Sequence, residues 1–261
     1  MRTLLTVASF AGLALLGATL VVAQGGTAVP QSSRNYDLSG FDEISVVGPH
    51  RVTVSVGPRF SVSAEGPAQA LADTEVFVED GGLRIRPVDD DRWERRCDAR
   101  DRDGDRRRRC INDYEPASFH VSLPRISSAS LVGNGGMTID RVEGTDFSAA
   151  VAGTGDLDVA TLRVDDAQFS IAGSGTLVAR GSAHRSRVSI AGSGTLNGRD
   201  ITSDEASISI AGSGDVALTV RDDARVSIVG GGNVEIAGPA HCSVSRFGGG
   251  RVRCNGRQVD G

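Results

Sequence analysis

The sequence predicts an all-β fold, a parallel β-helix or β-solenoid whose coils of about 18–20 residues turn at Gly-x-Gly corners. Three observations point there. A glycine tripeptide recurs at a nearly fixed interval through the C-terminal half. Apolar residues alternate with period two on either side of it, as in half-buried strands. Gly makes up 34 of 261 residues against 4% aromatics, too interrupted for a helical bundle, while 39% hydrophobic residues are too many for a disordered chain.

The chain opens on Met1–Ala23, with one positive charge at Arg2 and an apolar stretch from Leu4 to Val22. The ending Val21-Val22-Ala23 fits cleavage after small residues, so 1–23 reads as a signal peptide with Gln24 as the new N-terminus. The rival reading is an uncleaved anchor, since about 19 residues nearly span a bilayer. No long apolar run follows, so no transmembrane span is expected in the mature chain. That chain is placed outside the cytoplasm, in the periplasm or at the cell surface.

Residues 24–35 read as a flexible leader, and 36–261 as a single domain. Within it, residues 36–88 carry strand candidates at Ile44–Val47, Val52–Val56, Phe60–Ala64, Glu75–Val78 and Leu83–Arg86. Gly48-Pro49, Gly57-Pro58, Gly66-Pro67 and Asp80-Gly81-Gly82 separate them as turns. These strands are expected to continue or cap the stack, covering an edge that a solenoid otherwise exposes. Residues 89–115 break the pattern with ten acids and nine Arg, including Arg106–Arg109. Without periodic apolar residues they read as a charged surface loop, and Ser118–Leu123 then leads into the coils.

The coils occupy 118–256. The tripeptides begin at Gly133, Gly153, Gly173, Gly192, Gly212, Gly230 and Gly248, at intervals of 20, 20, 19, 20, 18 and 18 residues. A fixed period near 20 is the mark of a solenoid. Gly153, Gly155, Gly173, Gly175, Gly192, Gly194, Gly212 and Gly214 are the structural turns, where glycine allows positive φ. Before each turn stand apolar pairs such as Phe169/Ile171, Val188/Ile190 and Ile208/Ile210; after it come pairs such as Leu157/Val159. Each coil should thus hold two short strands joined by the turn. Stacking coils about 4.8 Å apart pairs them in parallel and buries the apolar face. Three residues before the turns stand Ser170, Ser189, Ser209 and Ser227, a candidate outward ladder that Ser130 and Ser245 extend and only Ala150 interrupts.

Four cysteines, Cys97, Cys110, Cys242 and Cys254, suggest two disulfides in an exported chain. Spacing favours Cys97–Cys110 and Cys242–Cys254. The second pair lies six residues to either side of Gly248, in the inward phase with Val244 and Val252, where it would pin the last coil. Zinc is the weaker reading, with no C-x-x-C pair and no His at ligand spacing.

Charge excludes several functions. The formal net charge is −5, and −6 without residues 1–23 (27 Arg against 33 acids), so no nucleic-acid partner is expected. All basic residues are Arg, which removes Schiff-base and P-loop lysine chemistry.

Catalysis on a β-helix needs paired carboxylates, or an acid with a cation, converging on one face. Asp156 and Asp215 share a coil position but stand three coils apart, about 14 Å; Asp156 and Asp158 are assigned to opposite faces of one strand. His50, His120, His184 and His241 lie in no ligand or triad spacing and read as surface or strand-end residues. No serine sits in G-x-S-x-G. The turns lack the regular aspartates of a calcium β-roll. In Asp101-Arg102-Asp103-Gly104-Asp105, Cys110 stands where an EF-hand needs Glu. No catalytic, cofactor or metal residue is therefore assigned.

The ordered set Phe41-Asp42-Glu43-Ile44-Ser45-Val46, Val52-Thr53-Val54-Ser55-Val56-Gly57, Val62–Gly66, Asp80-Gly81-Gly82-Leu83-Arg84-Ile85 and Val121-Ser122-Leu123-Pro124, followed by the Ser-Ile-Ala-Gly-Ser-Gly repeats, resembles the putative auto-transporter adhesin, head GIN domain family. The resemblance covers about residues 36–240. It implies an exported bacterial β-solenoid and supplies no catalytic residues. The charged insert and the Cys242/Cys254 pair depart from the family pattern. The expected function is a non-enzymatic surface for a glycan, an envelope polymer or a surface protein. The alternatives are a β-helix polysaccharide lyase or hydrolase, and a purely structural envelope protein.

Overall fold

The computed structural model describes residues 31–88 and 116–259. The expected signal peptide 1–23, leader residues 24–30, and the insert 89–115 with Cys97 and Cys110 lie outside the described residues. The architecture is the predicted one: a β-solenoid of stacked parallel coils.

The central coils are each one long bent strand rather than the two short ones expected. They are β10 (Val142–Gly153), β11 (Asp156–Gly173), β12 (Thr176–Gly192), β13 (Thr195–Gly212) and β14 (Asp215–Gly230). Each except β10, which starts at Val142, leaves one glycine corner, bends through register shifts such as Val159/Leu162 and Val178/Gly181, and runs on to the next. The bend adds a third side that period-two patterning does not announce. The flanking coils are split instead: β8 (Ser128–Gly133) and β9 (Gly136–Ile139) on one side, β15 (Asn233–Ala237), β16 (His241–Phe247) and β17 (Arg251–Cys254) on the other.

The corners explain why two glycines are needed, and for different reasons. Gly212 has φ +130°, and a Cβ there would sit 2.2 Å from the Gly192 oxygen. That oxygen accepts the Ser213 N–H at 2.8 Å, so the ladder continues through the turn. Gly214 is not among the positive-φ glycines. A Cβ there would meet Ile190 Cγ2 of the preceding coil at 2.6 Å. The first glycine answers to backbone conformation and close approach; the second needs no positive φ, and a Cβ there would crowd both Ile190 and, at 2.8 Å, the Gly194 oxygen.

The interior follows the repeat. Val46, Leu131, Val151, Ile171, Ile190, Ile210 and Ile228 stack in one inward column and all are buried. Arg246 takes the next position, beside Ile228, and donates to the Gly250 oxygen at 2.6 Å. A guanidinium thus closes the C-terminal end of an otherwise apolar column.

The N-terminal strands both continue and cap the stack, in an order the sequence does not announce. They are β1 (Gln31–Tyr36), β2 (Glu43–Val47), β3 (Arg51–Val56), β4 (Ser61–Pro67), β5 (Thr74–Glu79), β6 (Gly82–Pro87) and β7 (Ser118–Leu123). Strands β2 and β3 form a coil between β6/β7 on one side and β8/β9 on the other. A chain segment is thus inserted between two layers that follow it in sequence. Antiparallel pairing of β4 with β7 and β1, and of β5 with β6, covers this end. The short helix α1 (Ala68–Ala72) adds the buried Leu71. Residues 31–35, expected as leader, belong instead to β1. Their period-two signal is weak because five of the six residues QSSRNY are polar, and pairing with β4 rather than burial holds them.

At the other end, Cys242 and Cys254 form the expected disulfide, with Cα atoms 6.4 Å apart. The hairpin of β17 with β18 (Arg257–Val259) lies beside it. Closing a loop of this size removes about 3 kcal/mol of unfolded-state entropy in the chain model. Reduction is expected to expose roughly the last 20 residues to protease while β11–β14 stay protected, because a terminal coil has one neighbour only. Limited proteolysis with and without reductant checks this; equal cleavage maps would refute it.

Candidate functional site

Two outward surfaces arise from the stacking. The first lies before the glycine corners. Ser170, Ser189, Ser209 and Ser227 stand in register and extend through Ala150, Ser130 and Ser45 at one end and Ser245 at the other. Ser189, Ser209 and Ser227 are exposed, and Ser170 is half-buried. The ladder spans seven steps of about 4.8 Å, roughly 34 Å. Beside it runs a second outward column, Val132, Ala152, Ala172, Ala191, Ala211, Val229 and Phe247, small in the middle and apolar at the end, where Phe247 is 80% exposed. The sequence reading missed this column, although one residue before each Gly is its signal.

The second surface lies after the corners. Its outer face is concave in two places. One depression of about 420 Å³ includes Arg51, Thr53, Asp156, Asp158 and Thr176. Another of about 540 Å³ includes Thr195, Asn197, Asp215, Asn233, Arg251 and Arg253. Thr176 and Thr195 are neighbours in register, so the two form one polar track across the coils.

The track corrects one expectation. Asp156 and Asp158, assigned to opposite faces, share the outward face, because residues two apart on a strand point the same way while Leu157 between them is buried. Their Cα atoms are about 7 Å apart. Arg180 grips Asp158 through two nitrogens at 2.8 and 3.4 Å. Asp215 lies in the other depression and accepts from Asn233 at 2.8 Å.

Elsewhere two carboxylates sit in ion-pair clusters. Asp166 accepts from Arg185 at 2.7 and 2.9 Å and from Arg187 at 3.0 Å. The Arg185 hydrogen bond is the main cause holding its carboxyl down at about 2. Asp204, beside His184 and Arg221, is also lowered, chiefly by the His184 hydrogen bond. Among the described residues no group of three or more His, Cys, Asp or Glu could hold a metal ion. No helix among them is long and apolar enough to cross a membrane.

Of the four histidines, His120, His184 and His241 are exposed. His50 is not the surface residue expected: it is fully buried. It stands in Gly48-Pro49-His50, where the other coils have the second corner glycine. The layer beneath is β6/β7, and the imidazole packs edge-on against Phe119 at 5.3 Å. Ala117 N–H donates to His50 Nδ1 at 3.3 Å, which assigns the proton to Nε2, 3.3 Å from Thr74 Oγ1. Thr74 in turn donates to the Ala70 oxygen at 2.8 Å.

Burial lowers the His50 pKa to about 4. The unfolded chain therefore binds a proton that the folded chain refuses between pH 6.5 and 4. The neutral ring's contribution is complete above pH 6.5 and is lost as pH falls toward 4, a change of about 3 kcal/mol. Urea midpoints measured from pH 7 to 4 should fall more steeply than those of His50→Gln; parallel profiles would refute the assignment.

The head GIN domain profile described as putative auto-transporter adhesin matches residues 40–240. No curated protein matches the chain significantly. A crystal structure of a putative adhesin from Bacteroides fragilis NCTC 9343 superposes with a TM-score of 0.72 at 16% identity, over 85% of this chain and 96% of that one. A putative lipid binding protein from Parabacteroides distasonis ATCC 8503 gives 0.60 at 18% identity, over 85% and 95%. A putative adhesin from the same strain gives 0.63 at 16% identity, over 86% and 97%. At these identities the likeness concerns the fold alone.

Proposed function

Because the chain belongs to the putative auto-transporter adhesin, head GIN domain family, we propose that it is an exported, non-enzymatic binding module. Its stacked polar surface would receive a glycan, an envelope polymer or a surface protein. The serine ladder carries this reading: equivalent hydroxyl positions repeat at one coil spacing on a rigid support. A polymer with its own repeat can meet such a row at several points, and the affinities of linked contacts multiply. The Cys242–Cys254 disulfide supports an oxidising compartment, as does the N-terminal apolar segment.

The test is binding of the purified chain to isolated cell envelopes and to a glycan panel. Wild-type binding should fall at least tenfold in Ser170→Glu/Ser189→Glu/Ser209→Glu, whose side chains point away from the core. No binding, or binding indifferent to the triple change, would sink the ladder reading.

One observation favours a carbohydrate-active enzyme as the second reading, namely that Asp156 and Asp158 place two carboxylates on one face of the same depression. The Arg180 grip on Asp158 weighs against a free acid–base pair. Product release from a bound polysaccharide, abolished by Asp156→Asn, would establish it in place of the first.

A further inference from the structure

We infer that the larger depression, at the C-terminal end of the polar track, is a subsite for an acidic polysaccharide whose uronate carboxylates are taken by Arg251 and Arg253. The inference rests on the reading of the solenoid surface as a polymer-binding module and gives it a second site, on a different face from the serine ladder.

Register builds the site. Thr195, Asp215, Asn233 and Arg251 stand side by side on four successive coils, and Asn197, Ala217, Glu235 and Arg253 form the parallel row. The floor therefore spans three steps of about 4.8 Å, close to the advance of one pyranose per coil in an extended chain. Ala217 is the low point between the longer Asn197 and Glu235.

Charge then selects the ligand. Glu235 is held by Arg199 at 2.6 Å, and Asp215 accepts from Asn233 at 2.8 Å. Arg251 and Arg253 are exposed and make no side-chain hydrogen bond or ion pair with the described residues. They lie on one face of β17, their Cα atoms about 7 Å apart, and each offers a guanidinium fork that fits a carboxylate. Thr195, Asn197 and Asn233 supply hydroxyl and amide partners for sugar hydroxyls. Among the described residues no aromatic ring lines the depression. Without a stacking platform, recognition depends on hydrogen bonds and charge, which favours a uronate polymer over a neutral one.

The test is calorimetric titration of the full chain with alginate oligosaccharides and with neutral cello-oligosaccharides of equal length. Alginate should bind at least tenfold more tightly than the neutral series and weaken as salt is raised. Arg251→Gln/Arg253→Gln should lose at least tenfold of that affinity, as should Ala217→Glu, which fills the floor with negative charge. Arg163→Gln, on another side of the coil, should not. Equal binding of both oligosaccharides, unchanged affinity in both site variants, or binding of the chain to anionic phospholipid vesicles but not to alginate would overturn the inference. If alginate fails to bind while envelope binding still depends on Ser170, Ser189 and Ser209, the inference falls and the module reading stands. If the chain binds neither envelope nor any glycan, both fall.

Discussion

Gly212→Val is expected to unfold the central coils or to destabilise them by about 4 kcal/mol or more. Two effects act together. A β-branched residue held at φ +130° carries backbone strain of about 1–3 kcal/mol. Its Cβ would also occupy space 2.2 Å from the Gly192 oxygen, the acceptor that anchors Ser213 N–H. Relieving that clash separates the two coils at the corner and breaks the ladder on both sides of it, which places the change among the exceptional ones. Gly249→Ala is the control. A Cβ there meets nothing within 4 Å, and the residue is not among the positive-φ glycines. Its effect should stay within about 0.5 kcal/mol. Thermal melts of the two variants decide it; a Gly212→Val loss as small as that of Gly249→Ala would refute the corner argument.

Ile190→Ala and Ile210→Ala should each cost about 2–5 kcal/mol, the range for deleting a large buried aliphatic side chain. Both are 1% exposed in the inward column. Each is flanked above and below by an equivalent residue in the same column, so the cavity cannot collapse without shifting a whole layer. Ser189→Ala, one residue away on the exposed ladder, should cost less than about 1 kcal/mol. Denaturant midpoints distinguish the cases, and equal shifts would mean that inward and outward phases are misassigned.

The central coils were legible because one period carries both the corner and the alternation. Once Gly192 and Gly212 are equivalent, Ile190 and Ile210 must stack, and the serines between the inward residues must face out. The Cys242–Cys254 pairing followed from the same phase. The N-terminal coil was harder, because Gly48-Pro49-His50 keeps the first corner glycine and replaces the second. The imidazole there is housed by Thr74, Ala117 and Phe119, a three-dimensional circumstance that local sequence does not record. The interleaving of β2/β3 has no local signal either, since alternating apolar residues say that a strand is half-buried but not which strand lies beside it. The Asp156/Asp158 assignment failed for a simpler reason: period two puts i and i+2 together, and applying it to the carboxylates as well as to the isoleucines would have found the polar track.

The interleaved order also constrains how the chain reaches its native state. From β10 onward, every coil stacks on one adjacent in sequence, so layers can be added by short, local closures. Strands β2 and β3 have no such option. Their partners are β6, β7, β8 and β9, so this layer cannot be completed before the chain is available as far as Ile139. Non-local pairing of this kind slows folding, because loop entropy is lost before contacts compensate. The N-terminal end is therefore the kinetic bottleneck, and pulse-labelled hydrogen exchange should find β11–β14 protected before β2 and β3.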